Sequence, residues 1–427
     1  MRSDKKILLV SSWAPPDIGG PQSLYMLFSQ LPNQSYSILT SYYTEQHRKT
    51  GSWLPCDYYF IDHSPILLAA QNQNTHEQQN VPGVTQQQKP NRFIEVVKKV
   101  VRKIPPLLAT IFGALAIRNT LRFYRAGKSI LKQNPGQRVM GISDTGPALI
   151  AAYLLSRHLQ RPLFFFLFDL YKGNYFEPPQ NFLANRFESK MIHRAEKILV
   201  TNEGTAAYYA KRYPECTEKF QVTHNSVFPE DYAEQRTPYA PHPPYTILFT
   251  GHVYWAQEQS VLNLVQAMQQ LQDLPVTLEL YIPHPTESVR RAIEQAPNIL
   301  LTSASPSEMP KIQSRATLLF LPLAWGTKSP DIIATATPGK FTGYLGSGRP
   351  MLVHAPDYAY VSQYARQHNL GLVVDENSTK RLALAIRTFL ANPQLGQTYI
   401  ANALAIFQQN HDARKNARKL TEILEMV

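Results

Sequence analysis

Short apolar runs, each followed by a turn or a stretch of helical spacing, recur along this chain, and that alternation constrains the fold more than any other feature. KILLVSS, YSILTSY, DYYFIDH, RVMGISD, PLFFFLFDL, EKILVTN and FQVTHNSV form a first series, with helical stretches such as ALIAAYLLSRHL between them. A proline-rich polar span, FPEDYAEQRTPYAPHPPY, interrupts it, and the pattern restarts with TILFTGH, VTLELYI, ATLLFLP, PMLVHAP and GLVVDE. Apolar strands alternating with helices call for parallel sheets covered on both faces. The 427 residues are too many for one ordinary core and suit two domains of about 200 residues. The expected division is a first Rossmann-like domain over residues 1–228, a linker at 229–244 and a second Rossmann-like domain over 245–400. A last helical segment, 401–427, can pack back toward the first domain. Two such units face each other across a cleft, with ligands at the carboxyl ends of the strands.

Composition narrows the class. The hydrophobic share of 44% is ordinary for a globular protein, and two cysteines, Cys56 and Cys216, cannot build a disulfide framework or a metal cluster of their own. The opening MRSDKKILLVSSWAPP has an apolar run of only four residues, Ile7 to Val10, which reads as a strand rather than a signal peptide. No stretch supplies the ~20 apolar residues of a spanning helix, so a cytoplasmic protein is expected.

The charge is concentrated. Of the net +12, the span from Gln78 to Ser143 carries +11, with twelve basic residues against the single acid Glu95. Within it, RFIEVVKKVVRKI sets Phe93, Val96, Val97, Val100, Val101 and Ile104 on one helical stripe, with Lys98, Lys99, Arg102 and Lys103 largely on the rest of the circumference. Two readings stay open: a helix docking peripherally on the inner face of an anionic membrane, or a helix packed on its own domain with a solvated basic face. The usual nucleic-acid recognition motifs are missing, and no nucleic-acid partner is expected.

Several glycines fall at strand ends. LLVSSWAPPDIGGPQ ends the first strand in a loop reaching Gly19 and Gly20, and ILFTGHVYWAQEQSVLNLVQAM places Gly251 and His252 after the first strand of the second series. Later, TATPGKFTGYLGSGRP opens a short helix with Pro338, Gly339 and Lys340. Proline suits a first helical turn, glycine leaves the backbone amides open, and lysine adds a charge beside the positive end of the helix dipole. That combination is an anion site. Gly343 inside the helix costs about 1 kcal/mol relative to alanine, so it either serves a ligand or relieves close packing.

On these stretches the chain resembles the GT-B glycosyltransferases, more narrowly the retaining, nucleotide-sugar-dependent enzymes of glycosyltransferase family 4. APPDIGG matches the family's first-strand loop, HNSV matches its Asn-Gly-Val in part, with Ser226 where glycine is usual, and GKFTGYLGSGRPML matches its late signature. The resemblance implies an α/β fold of two Rossmann-like domains facing a cleft. It implies transfer of a hexose from a nucleotide sugar to a glycan or lipid-linked acceptor in polysaccharide or glycoconjugate synthesis, without cofactor or metal. Donor-binding positions are Gly251, His252, Asp331, Pro338, Gly339, Lys340 and Gly343. The acceptor side falls to Gly19, Gly20 and Asp169, with Asp169 and Lys340 as the catalytic pair. Tyr171, Tyr175 and Phe176 are candidates to stack on a sugar.

The chain also departs from the family. Its two glutamates eight positions apart correspond here to Thr335 and Gly343, and its basic residues after the second-domain glycine correspond to His252 and Gln257. These departures keep open a degenerate, non-catalytic binding or partner protein. A Rossmann-like epimerase would show Gly-x-Gly-x-x-Gly after the first strand, which SSWAPPDIGG lacks.

Overall fold

The structure is a computed structural model, and it describes residues 6–15, 20–41, 53–61, 105–174, 178–294 and 296–426. Gly19, Tyr175, Phe176 and the basic stripe at 93–104 lie outside them.

Two parallel sheets form the frame. The first holds β1 (Ile7–Val10), β2 (Tyr36–Ser41), β3 (Asp57–Ile61), β4 (Arg138–Ile142), β5 (Leu163–Leu167), β6 (Lys197–Val200) and β7 (Phe220–Val222) in the order β3-β2-β1-β4-β5-β6-β7. The second holds β8 (Tyr245–Thr250), β9 (Val276–Tyr281), β10 (Ile299–Thr302), β11 (Leu318–Pro322), β12 (Met351–His354) and β13 (Gly371–Val374) in the order β10-β9-β8-β11-β12-β13. Both are doubly wound. The order reverses between β1 and β4 and again between β8 and β11, and those are the places where an open α/β sheet leaves a crevice.

The central strands are apolar throughout because helices cover both faces. In β5, Leu163 to Leu167 are all buried, as are Leu318 to Pro322 in β11. The helix Pro105–Gln133 packs along the first sheet through Phe123 and Leu131. Between the sheets the chain crosses twice, and the two crossings pair: Val227 N donates to His411 O at 3.2 Å, and Ala413 N donates to Val227 O at 3.1 Å. The last helix, Ala413–Glu425, starts at Asp412, whose carboxylate accepts from the amides of Arg414 and Lys415. It returns to the first sheet, where Leu420, Ile423 and Leu424 join Ile7, Leu9 and Met140 in one core. Each such side chain contributes about 2 kcal/mol by burial. The proline-rich span is folded against the second half: Tyr232 lies under the helix Lys340–Gly346, and the Tyr239 hydroxyl donates to the carbonyls of Thr317 and Pro393.

Candidate functional site

On the second sheet the crevice opens between the ends of β8 and β11. β8 ends at Thr250, and Gly251 turns the chain with φ +106°, a conformation that side-chain-bearing residues rarely adopt. A Cβ there would also lie 3.2 Å from Lys340 Cε. The loop that follows is pinned to the loop after β11 by Ala324 N donating to Ala256 O at 2.8 Å. Into this corner the helix Lys340–Gly346 delivers its first side chain. Lys340 Nζ donates to Gln257 Oε1 at 2.9 Å and lies 4.2 Å from the centre of the Phe249 ring. These neighbours are neutral, and burial draws the ammonium down to about 7. His252 stands beside it, its ring 6.3 Å from that of His284; burial lowers its pKa first, then the charges of His284 and Lys340. Burial thus holds both Lys340 and His252 toward their neutral forms, and an anion bound in this corner would favour the charged ones.

Pro338 is buried, Gly339 is exposed, and the space a Cβ would occupy on Gly339 is open to 4 Å. The loop before them is held from the first domain. Asn202 Oδ1 caps the helix Glu203–Arg212 by accepting from Thr205 N at 2.8 Å, while its Nδ2 donates to Thr335 O and Thr337 Oγ1, both at 2.8 Å. Asp331, exposed in the first turn of the helix Pro330–Thr335, also faces the first domain: it accepts from the Tyr208 hydroxyl at 3.1 Å, and Tyr208 accepts from Arg212 Nη1 at 2.9 Å. Its carboxylate is therefore a cross-cleft contact.

On the first sheet the corresponding corner lies at the ends of β1, β4 and β5. Asp144 is buried, accepts from the Ser12 hydroxyl and caps the helix Pro147–Leu159 through Gly146 N at 2.6 Å and Ala148 N at 3.0 Å. Asp169 follows β5 and is exposed to the cleft, where desolvation raises its pKa. Gly20 starts the helix Gly20–Phe28 directly against Phe168, whose ring would lie 2.7 Å from a Cβ on the glycine. Across the gap, Tyr254 and Trp255 stand side by side with rings 6.1 Å apart, 45% and 38% exposed. The Tyr254 phenol is pushed up to about 12, by burial first and by the charge of Asp169 second.

Two expectations need correction. Gly343 does not face a ligand. It is fully enclosed, and a Cβ would meet the Tyr232 hydroxyl at 2.3 Å and Gln313 Oε1 at 3.0 Å, so the volume a glutamate would need is already filled. Tyr171 is not an exposed stacking residue either. It is 1% exposed, its hydroxyl packs on Gly146, and its amide donates to Tyr209 at 3.0 Å. Gly251, His252, Pro338, Gly339 and Lys340 come together at one corner, Gly20 and Asp169 at the other, and Asp331 between them. Asn202, Tyr208, Tyr254 and Trp255 are additions from the structure. An asparagine directly after a strand and an adjacent Tyr-Trp in a polar loop were the signals available for them.

No protein-family model and no curated protein matches the sequence. Solved structures do. Anabaena Alr3699/HepE in complex with UDP and glucose superposes with a TM-score of 0.63 at 13% identity, covering 99% of this chain and 100% of that one. The glycosyltransferase from Rickettsia africae ESF-5 gives 0.64 at 12% identity, covering 99% and 98%. Sucrose-phosphate synthase from Thermosynechococcus elongatus gives 0.64 at 13% identity, again covering 99% and 98%. At such identities likeness speaks for architecture alone, and with the two doubly wound sheets it establishes that this chain has the GT-B fold.

Proposed function

We propose that the protein is a glycosyltransferase that moves a hexosyl group from a nucleoside diphosphate sugar to a glycan or lipid-linked acceptor, with retention, as a step in polysaccharide or glycoconjugate synthesis. The observation that carries this reading is Lys340: a half-buried ammonium on neutral partners, beside Gly251, Gly339 and His252, at the point where the strand order of the second sheet reverses. UDP is the nucleotide of first choice, since Alr3699/HepE binds UDP and UDP-glucose.

In this mechanism the diphosphate lies against Lys340, His252 and the open backbone at Gly339. As the anomeric C–O bond to the diphosphate breaks, negative charge grows on the departing oxygen and Lys340 receives it, a preorganised electrostatic contribution. The acceptor hydroxyl attacks from the same face, and its proton passes to the departing phosphate oxygen, so no protein nucleophile and no metal enters the step. Asp169, on the acceptor side, orients the acceptor by accepting a hydrogen bond from a hydroxyl neighbouring the one that attacks. A face of the helix Pro105–Gln133 suits a membrane-bound acceptor: Ile117 and Leu121 are 55% and 43% exposed beside Arg118 and Arg125. No helix among the described residues is long and apolar enough to cross a membrane.

The test is a thermal-shift screen of nucleotide sugars, then transfer and donor-hydrolysis assays on the ligands found. Lys340→Ala should lower turnover about 100-fold or more while the melting temperature holds. If nucleotide sugars bind but neither transfer nor hydrolysis occurs, the protein is a non-catalytic binder, the reading favoured by Thr335 and Gly343 in place of the two glutamates. An unchanged rate in the variant removes Lys340 from the site.

A further inference from the structure

On the outer side of the first domain, away from the cleft corner, three side chains of different chemistry converge. His193 lies in the last turn of the helix Pro178–Arg194, and Glu215 and Cys216 lie in the short 3-10 helix Pro214–Lys219 that packs against it. Their ligand atoms all fall within 4.8 Å of one another, with His193 Nε2 and Glu215 Oε1 2.9 Å apart.

The orientation of His193 is fixed from outside the group. Its Nδ1 lies 2.7 Å from the carbonyl oxygen of Ser189, which can only accept, so the Nδ1 proton is placed and Nε2 is turned toward Glu215. A neutral imidazole would then oppose a lone pair to a carboxylate oxygen, an arrangement that needs a cation between them: a proton or a metal ion. A histidine whose second nitrogen donates to a backbone carbonyl is the usual posture of a metal ligand. The sulfur of Cys216 beside this pair tips the choice, because a thiol has no part in a proton-bridged pair but is a preferred ligand of zinc.

We propose that His193, Glu215 and Cys216 form a zinc site, with water as the fourth ligand. Bond lengths of about 2.0 Å to nitrogen and oxygen and 2.3 Å to sulfur require tetrahedral ligand separations of about 3.3–3.5 Å, so His193 and Glu215 open by a few tenths of an ångström to admit the ion. The charged groups facing the thiol are Lys219, Glu215 and Glu218. Zinc binds a cysteine as the thiolate, so the ion displaces the thiol proton of Cys216 and affinity rises with pH. Its structural effect is to clamp the helix Pro178–Arg194 to the segment leading into β7. The same helix carries Glu188, which accepts from Lys172 N at 2.6 Å in the loop following Asp169 and from the Tyr213 hydroxyl at 2.9 Å. The site would brace the acceptor-side loop without touching the reacting atoms.

Metal binding to the full chain tests this without any activity assay. Zinc titration by calorimetry should give one ion per chain, with proton release that matches a pH-dependent affinity. Cobalt(II) should give a thiolate-to-metal charge-transfer band that Cys56→Ser keeps and Cys216→Ser loses. His193→Gln and Glu215→Gln, at exposed positions that leave the core intact, should each weaken zinc at least tenfold and abolish the zinc-induced rise in melting temperature. They also decide the matter if Cys216→Ser does not fold. Absence of the charge-transfer band, its survival in Cys216→Ser, or unchanged affinity in His193→Gln shows the group to be an ordinary His193–Glu215 ion pair beside a buried thiol and overturns the proposal.

Discussion

Lys340 and Gly343 sit three positions apart on one short helix and teach opposite lessons about side-chain space. Lys340 ends on neutral neighbours, and burial holds it near 7 where an exposed lysine titrates at 10.5. A bound diphosphate supplies the missing counter-charge and moves the ammonium back up. Below pH 7 the lysine is protonated with or without ligand, so its own titration adds no pH dependence to nucleoside diphosphate affinity in that arm. Above pH 7 the free protein must take up a proton to bind, and affinity should fall by at most about tenfold per pH unit until the bound form titrates. Calorimetry with UDP at pH 8, in buffers of different ionisation enthalpy, should register that uptake, and Lys340→Met should abolish it. A wild-type affinity that stays level from pH 7 to 9 would detach Lys340 from the diphosphate. Gly343 has no space at all. Gly343→Glu should cost about 3–5 kcal/mol or prevent folding, because it overpacks the core and buries a charge. In Gly343→Ala the Cβ meets the Tyr232 hydroxyl at 2.3 Å and Gln313 Oε1 at 3.0 Å, so Tyr232→Phe should restore part of the loss. Simple additivity of the two substitutions in denaturant melts would rule out that contact.

At the scale of elements, what could be read from the sequence followed burial. Strands covered on both faces are continuous apolar runs, and β1, β5, β8, β11 and β12 are visible in the order of residues alone. β10 is an edge strand of four residues, partly exposed along its length with Leu300 51% exposed, and its apolar run, Ile299 to Leu301, is only three residues long. The helix start Pro338-Gly339-Lys340 was legible because local backbone chemistry sets it. The fate of Gly343 was not, because Tyr232 reaches it from the distant proline-rich span. Contacts across the cleft, Asn202 with Thr335 and Tyr208 with Asp331, depend on how two domains meet and leave no periodic trace. The basic region illustrates both sides. Its stripe at 93–104 lies outside the described residues, but the helix Pro105–Gln133 contains no acidic residue and pairs exposed Ile117 and Leu121 with Arg118 and Arg125. Each base near an anionic surface contributes about 1 kcal/mol, and screening removes it within a Debye length. Vesicles containing anionic lipid should therefore capture the protein at low salt and release it as salt rises. Arg118→Gln with Arg125→Gln should lower the captured fraction about tenfold, and Ile117→Ser with Leu121→Ser should remove the attachment that survives salt. A protein that ignores such vesicles has this helix face in solvent instead.

Over the whole molecule, the two domains meet at a small polar knot beside the paired crossings. Glu203, in the first turn of its helix, accepts from His224 Nε2 at 3.0 Å and from the hydroxyl of Tyr360, which belongs to the second domain. The His224 ring lies 5.0 Å from that of His411 on the returning segment, tilted by 57°, and His411 Nδ1 donates to Asn225 O at 2.8 Å. One carboxylate thus ties the outgoing crossing, the returning crossing and the second domain together. Burial alone would raise the pKa of Glu203, but the hydrogen bonds and charge of His224 and the hydroxyl of Tyr360 outweigh it and bring the group down to about 2. A carboxylate depressed in the folded state contributes stability above its ordinary value near 4.5, and the contribution is lost as pH falls toward 2. The side chain is half-exposed, so solvent screening limits the effect to about 1 kcal/mol. Glu203→Gln should accordingly melt below the wild type at pH 7, by less at pH 3, and coincide with it only near pH 2. Because the contact with Tyr360 lies between domains, the variant's deficit should appear as separation of one unfolding transition into two, with faster amide exchange at residues 224–227 and 410–413. Tyr360→Phe should reproduce part of the separation and narrow the difference between pH 7 and pH 3. If Glu203→Gln lowers stability equally at both pH values and keeps a single transition, the knot is ordinary local packing, and the two halves of the cleft are held together by the return helix Ala413–Glu425 and the Asn202 bridge instead.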